Sequence, residues 1–378
     1  MRILFFHNPI VGHVLPLLPL ARAFGAAGHT VAFVSSEDMK APVNSEGYEL
    51  LPAGVTTAEA LEEVLRRTGV HLLGPEPSVE AIAECFAGVR IDLGIADALA
   101  AAEAWKPDLV VFEHLDFVGP LVAAVRGVPS VVVAIDPDLG EVFLGALREA
   151  ARPRYAAHAL EVPARVPHAD LMVDLCPPSL QDVNASTPLD RIALRPEPHR
   201  DPEGIPLVGR APAGPRPRVL VGLSTVADGG LGPLLRELSA LDIDLVATTG
   251  GAPAADLGLE PGRAEVFTFL PAAELLKDVT AAVHHGGSGA TFGAAAHGVP
   301  VVVVAGTDGQ AAQAERIAGT GAGLALLTED PSPEAVCAAL MRVLHEPSFA
   351  AAAGRLREEI EDMPAASEVA ERLVKMFA

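Results

Sequence analysis

Two stretches of the chain carry residue types whose spacing suits chemistry. The first is His284-His285-Gly286-Gly287-Ser288-Gly289, followed by Ala290, Thr291 and an alanine-rich run that Thr291 opens as a helix. Glycines let a backbone approach a ligand closely. The first N–H groups of a helix starting there point at the ligand, with the positive end of the helix dipole behind them. An imidazole at the preceding strand end can donate to a phosphate oxygen, so the turn reads as an anion site. No lysine follows the glycines, as a Walker loop requires, and their spacing is not that of the dinucleotide fingerprint. The second stretch is Gly12-His13, just after the apolar strand Ile3 to Phe6. An imidazole titrating near neutrality can take a proton from a hydroxyl, and it does so best when a carboxylate holds its other nitrogen. Glu113 ends the strand Leu109 to Phe112 at the carboxyl edge of the same sheet, and Asp116 is the alternative partner. Two aspartate pairs, Asp136-Pro137-Asp138 and Asp242-Ile243-Asp244, have a spacing that can hold a divalent cation. The first reads as a strand-end turn. The second precedes its strand, at the wrong edge of a sheet for a ligand, so no metal is expected.

The elements that must position these residues are legible from periodicity. Ile3 to Phe6 is a buried strand, Asn8 to His13 a loop, Leu15 to Ala27 a helix stopped by Gly28, and Thr30 to Ser35 the next strand. Such a βαβ unit belongs in a parallel sheet. A second unit runs through the strand Leu109 to Phe112, the helix Pro120 to Arg126 and the strand Pro129 to Ile135. Residues 55 to 105 between them are mostly amphipathic helix and suit a variable substrate wall. Residues 196 to 217, rich in Pro, Arg and Gly, read as a linker. A new series begins at Arg218, with strands expected at Leu245 to Thr249, Ala264 to Phe267, Ala281 to His284 and Val301 to Ala305. The final helix, Ala350 to Phe377, is broken near Pro364. The fold class is therefore α/β, as two tandem Rossmann-like doubly wound domains with ligands in a cleft at the carboxyl ends of both sheets. The expected division is an N-terminal acceptor domain at 1–200, a linker at 201–217, a C-terminal donor domain at 218–355 and a last helix at 356–378 that packs back on the N-terminal domain.

Composition agrees. A chain of 378 residues, half of them hydrophobic, can fill two cores. A net charge of −22 argues against a nucleic-acid partner and obliges any anionic ligand to be held by local donors. Cys85, Cys176 and Cys337 are far apart and match no metal spacing, as expected of buried thiols in a reducing compartment. No apolar run is long enough to span a membrane, and the N-terminus reads as a strand and not a signal peptide. The expected location is the cytoplasm.

Together these motifs resemble a family. His284 to Thr291, then His297-Gly298-Val299-Pro300 and Gln310, are similar to the donor signature of GT-B glycosyltransferases. The likeness is to the actinobacterial macrolide and enediyne type that transfers deoxysugars to natural products. Gly12-His13-Val14-Leu15-Pro16, Gly28-His29-Thr30-Val31, Leu223-Ser224-Thr225 and Phe269-Leu270-Pro271 extend it over nearly the whole chain. The resemblance implies a metal-independent, inverting transferase that moves a deoxysugar from a TDP-sugar, its co-substrate, to a hydrophobic aglycone, with no other cofactor. It implies His13 as base, backed by Glu113. It implies a diphosphate held by His285, Gly287, Ser288, Gly289, Ala290 and Thr291, with Thr225 near the phosphates, Leu270 at the base, and Asp308 and Gln310 at the sugar. One departure stands out: Asp308-Gly309-Gln310 puts Gly309 where the family carries an acidic residue directly before the glutamine, leaving the sugar open. The partners implied are a sugar nucleotide and a small-molecule acceptor, with room for a homodimer or an auxiliary protein. The alternatives on the same architecture are a sugar-nucleotide epimerase or hydrolase, and a non-catalytic partner of another transferase.

Overall fold

In the computed structural model the residues described are 1–74, 77–164, 166, 168–181, 189–200, 214–222, 231–249, 259, 264–267, 270–306, 308–327 and 331–378. They form two sheets, each parallel throughout. The first joins β1 (Arg2–Phe6), β2 (Thr30–Ser35), β3 (Glu49–Pro52), β4 (Leu109–Glu113), β5 (Ser130–Ala134), β6 (Leu171–Asp174) and β7 (Arg191–Ala193) in the order β3-β2-β1-β4-β5-β6-β7. The second joins β8 (Arg218–Gly222), β9 (Asp244–Thr248), β10 (Ala264–Phe267), β11 (Ala281–His284), β12 (Val301–Val304) and β13 (Gly323–Leu326) in the order β10-β9-β8-β11-β12-β13. Strands such as Leu109–Glu113 and Ser130–Ala134 are buried along their whole length, as expected of parallel strands covered by helices on both faces. In each sheet the strand order reverses at one point, between β1 and β4 and between β8 and β11. A doubly wound sheet binds its ligand at that point, beyond the carboxyl ends of the strands.

The chain divides into two compact units. One comprises Met1–Leu175, Val183–Leu194 and Pro364–Ala378; the other comprises Cys176–Asp182 and Arg195–Met363. This division differs from the compositional boundary at residue 200, for reasons visible in the hydrogen bonds. The backbone N–H of Ser179 donates to the Glu359 carboxylate at 2.8 Å, and Arg195 donates to the carbonyls of Met363 and Glu361. The C-terminal run is two helices, Pro347–Glu361 and Ala366–Phe377, and the second packs on the helix Leu18–Ala26. Residues 201–213, most of the proposed linker, lie outside the described residues.

Two local expectations are corrected. The segment carrying His13 is not a loop but an α-helical turn, Val11–Val14, followed by a 3₁₀ turn, Leu15–Leu17, and then the helix Leu18–Ala26. Pro16 and Pro19 sit at the starts of the second and third pieces; each lacks the N–H that would join its piece to the preceding turn. In the second unit the helix opens at Ser288, not Thr291, with Gly287 as its N-cap in an extended conformation. No helix among the described residues is long and apolar enough to cross a membrane.

Candidate active site

In the first unit the register sets β1 beside β4, pairing Phe6 with Phe112, so the residues just after β1 meet Glu113 at the reversal point. Glu113 is fully buried, and three of its four hydrogen bonds come from those residues. One oxygen, Oε1, accepts from the Asn8 side chain at 2.6 Å, from the Asn8 backbone N–H at 3.3 Å and from His13 Nδ1 at 2.8 Å. The other accepts from the Leu115 N–H at 2.6 Å. Burial alone would favour the neutral acid, but the His13 ring, His114 and the Leu115 N–H outweigh it and hold the carboxyl at about 2. Burial likewise opposes the His13 imidazolium, yet the charge and hydrogen bond of Glu113 raise its pKa above the ordinary 6.5. With Nδ1–H committed to Glu113, the lone pair of neutral His13 lies on Nε2, which makes no hydrogen bond to the described residues. The His13 side chain is 15% exposed. This is the arrangement a general base requires.

The neighbouring titratable groups have other partners. Asp116, the alternative partner for His13, instead accepts from the Gly119 N–H at 2.6 Å, and burial pushes its pKa up to about 7. A side chain at Gly119 would press on that carboxylate and on Phe6 and Phe112. His7 is buried, its Nδ1 2.7 Å from the Asn8 carbonyl, and burial lowers it to about 4. His7, Asp116, Ser35, Ser36 and Arg90 line a small cavity of about 30 Å³, room for a water or two. His114 Nδ1 accepts from the Ile135 N–H, and its Nε2 lies 3.5 Å from Asp136. Asp138 caps the Gly140 N–H, and Asp244 pairs with Arg216 at 2.7 Å, so both aspartate pairs hold structural contacts.

In the second unit the register pairs Gly222 with His284 at the corresponding reversal point. His285 follows, half-buried, with Nδ1 3.3 Å from the Gly222 carbonyl. A carbonyl lends less support to an imidazolium than a carboxylate does. Burial therefore prevails over that bond and lowers the pKa of His285. Its ring folds over Gly287, where a Cβ would lie 2.6 Å from Nε2. Gly286 adopts φ of +90°, and a Cβ there would meet the Gln310 carbonyl and Val303 at 3.0 Å, so no other residue fits. The N–H groups of Ala290 and Thr291 both turn back to the Gly287 carbonyl, and the buried Thr291 hydroxyl donates to it as well. Gly289, exposed, keeps an N–H without a partner among the described residues. The Ser288 hydroxyl is held by the Gln313 side chain, which is buried. Gln310 turns its side-chain oxygen to the Gly306 N–H at 2.9 Å. His284 is buried, its Nδ1 accepting from the Gly286 N–H, and burial lowers it to about 3. Leu270 is half-buried just before the helical turn Ala272–Leu275, and Asp308 begins the helix Asp308–Gly319. Thr225 and Phe269 lie outside the described residues.

Sequence reasoning missed Asn8 and Gln313. The one signal for Asn8 was an amide directly after the first strand; for Gln313 there was none, because its partner is far away in sequence.

Residues 22–204 match the N-terminal domain, and residues 233–376 the C-terminal domain, of the family described as erythromycin biosynthesis protein CIII-like. The chain belongs to this family, and it is a glycosyltransferase of the GT-B fold. Elloramycin glycosyltransferase ElmGT of Streptomyces olivaceus is 31% identical, over 100% of this chain and 98% of the relative. Aclacinomycin-T 2-deoxy-L-fucose transferase of Streptomyces galilaeus is 29% identical, over 100% and 96%. Among solved structures, the Streptomyces sp. SF2575 glycosyltransferase SsfS6 complexed with thymidine diphosphate superposes with a TM-score of 0.83 at 27% identity, over 100% and 99% of the two chains.

Proposed function

We propose that the protein is an inverting, metal-independent transferase that moves a deoxysugar from a TDP-sugar to a hydroxyl of a hydrophobic small-molecule acceptor. The observation that carries this reading is the His13–Glu113 pair: a buried carboxylate on Nδ1 and an open Nε2 at the carboxyl edge of the sheet. His13 Nε2 takes the proton of the acceptor hydroxyl as its oxygen attacks the anomeric carbon. The bond from that carbon to the diphosphate breaks, TDP departs, and Glu113 stabilises the imidazolium formed. A single displacement of this kind inverts the anomeric centre. The negative charge that builds on the diphosphate meets the Gly289 N–H, the start of the helix Ser288–Ala296 and His285. A metal ion is not required for that task.

The nature of the substrates rests on likeness. A relative is named for transfer of 2-deoxy-L-fucose and a structural neighbour holds thymidine diphosphate. The glycine at 309, in place of an acid, suits a sugar with fewer hydroxyls to hold. The exposed apolar side chains of Ile10 and Val11, beside His13, suit an apolar acceptor.

The test is His13→Ala, assayed for sugar transfer by mass spectrometry and for TDP affinity by calorimetry. Transfer should fall by about a hundred- to ten-thousand-fold while TDP affinity stays unchanged. Full transfer in this variant would remove the base. Wild-type transfer should also persist in excess chelator, and its loss there would reopen the aspartate pairs.

A further inference from the structure

The hydrogen bond from His13 Nδ1 to Glu113 and the covalent link through Cβ set the position of the imidazole and leave a limited tilt of its ring plane. A flat neighbour beside the ring would narrow that tilt and keep Nε2 aimed, and one stands there on an irregular piece of helix. The helical run from Val79 to Trp105 is interrupted by a π-helical turn, Cys85–Val89. Such turns misalign the backbone ladder and persist where the surroundings require them, often at functional sites. Here the turn presents Phe86, half-buried, with its ring 6.2 Å from the His13 ring between centroids and tilted only 20° from it.

The turn is pinned on both sides. Glu84, just before it, accepts from Arg67 at 2.8 Å and from Arg154 at 2.9 Å. Asp92, just after it, accepts from the same two arginines at 2.6 and 2.7 Å. Those arginines come from the helices Thr57–Thr68 and Glu141–Ala157, so three helical segments are cross-linked around the turn. Gly88, inside the turn, leaves the space into which the Glu84 carboxylate folds; a Cβ there would overlap it. A second tie runs to the segment carrying the base. Arg90 donates to the Val55 carbonyl and to Thr57 Oγ1, and the Thr57 hydroxyl donates to the Pro9 carbonyl at 2.6 Å. The turn and the helix that follows it therefore reach the Asn8–His13 segment twice, through the neighbouring rings and through the hydrogen bonds from Arg90 to Thr57 and from Thr57 to Pro9.

We propose that Phe86 is a positioning residue for sugar transfer, presented by the π turn so that its ring holds the plane of His13 with Nδ1 on Glu113 and Nε2 open to the acceptor. This rests on the reading of His13 as the base. Two plainer roles are available to Phe86, packing against the core and lining the acceptor site, and the test separates them.

The full-length protein would be compared as wild type, Phe86→Tyr, Phe86→Leu and His13→Ala, measuring kcat, acceptor KM, the pH–rate profile and the melting temperature. Leucine keeps the apolar volume and loses the flat face; tyrosine keeps both. Phe86→Leu should lose about tenfold in kcat. Its acceptor KM should stay within about twofold of wild type, and the acidic limb of its pH profile should move to lower pH as the Glu113 contact loosens. Phe86→Tyr should restore kcat and the limb. A change confined to acceptor KM would make Phe86 a wall of the acceptor site. A fall in kcat that follows melting temperature with an unmoved pH profile would make it packing. Either result overturns the proposal. Retained transfer in His13→Ala would instead overturn the base reading itself, however the Phe86 variants behave.

Discussion

Each unit sets an imidazole at the carboxyl edge of a parallel sheet, at the point where strand order reverses, and the two are tuned in opposite directions. His13 in the first unit rests on a buried, fully bonded carboxylate, which raises its affinity for a proton. His285 in the second rests on a backbone carbonyl, and burial lowers that affinity. On the proposed reading the difference follows the task. A base must accept a proton and hold it while the acceptor oxygen attacks. His285, as a proposed phosphate ligand, needs little charge of its own in the free protein, because a bound diphosphate would supply the field that protonates it. One fold, used twice, thus makes two kinds of histidine, and the largest difference between them is what stands behind Nδ1.

The comparison can be broken at the carboxylate first. Glu113→Gln keeps the shape and removes the charge, and transfer should drop by about a hundredfold or more, measured as kcat with both substrates saturating. A rate within a few-fold of wild type would mean that the charge behind His13 is not what distinguishes it. His285→Ala should weaken TDP by about tenfold in calorimetry, the value of one good hydrogen bond to a charged partner. The sign of its pH dependence sharpens the contrast. The diphosphate favours the imidazolium that burial disfavours in the free protein, so wild-type TDP affinity should rise as pH falls, with proton uptake on binding. The alanine variant should lose that part of the slope. The smallest effect should come from Asn8→Ala. The N–H groups of residue 8 and Leu115 still hold Glu113, and kcat/KM should fall by less than about tenfold.

How much of this the sequence contains depends on how local the cause is. Strands such as Leu109–Glu113 and Ser130–Ala134 read directly as apolar runs, and the glycines around Ser288 announce a close backbone approach. His13 and Glu113 could each be placed at the end of a strand. The resemblance pointed to Glu113 over Asp116, and the fold accounts for it: β1 lies against β4, while Asp116 is held locally by the Gly119 N–H. The break of the first helix at Pro16 and Pro19 has a local cause and is still not legible, because prolines in a first turn are compatible with a continuous helix as well as with a new one. The π turn at Cys85–Val89 was not legible at all. It is held by Arg67, Glu84, Asp92 and Arg154, which meet only in the folded unit. Gln313 on Ser288 is hidden for the same reason.

The most direct test of the account is the pH dependence of kcat/KM for the acceptor, with donor saturating, in the wild type and Glu113→Gln. His13 must be neutral to accept a proton, so the wild-type rate should climb with pH along an acidic limb centred above the ordinary histidine value of 6.5. In Glu113→Gln the imidazolium loses its counter-charge, and the limb should move to lower pH while the plateau falls. Limbs that coincide in the two proteins, or a wild-type profile with no acidic limb, would contradict the assignment of His13 and Glu113 as base and support.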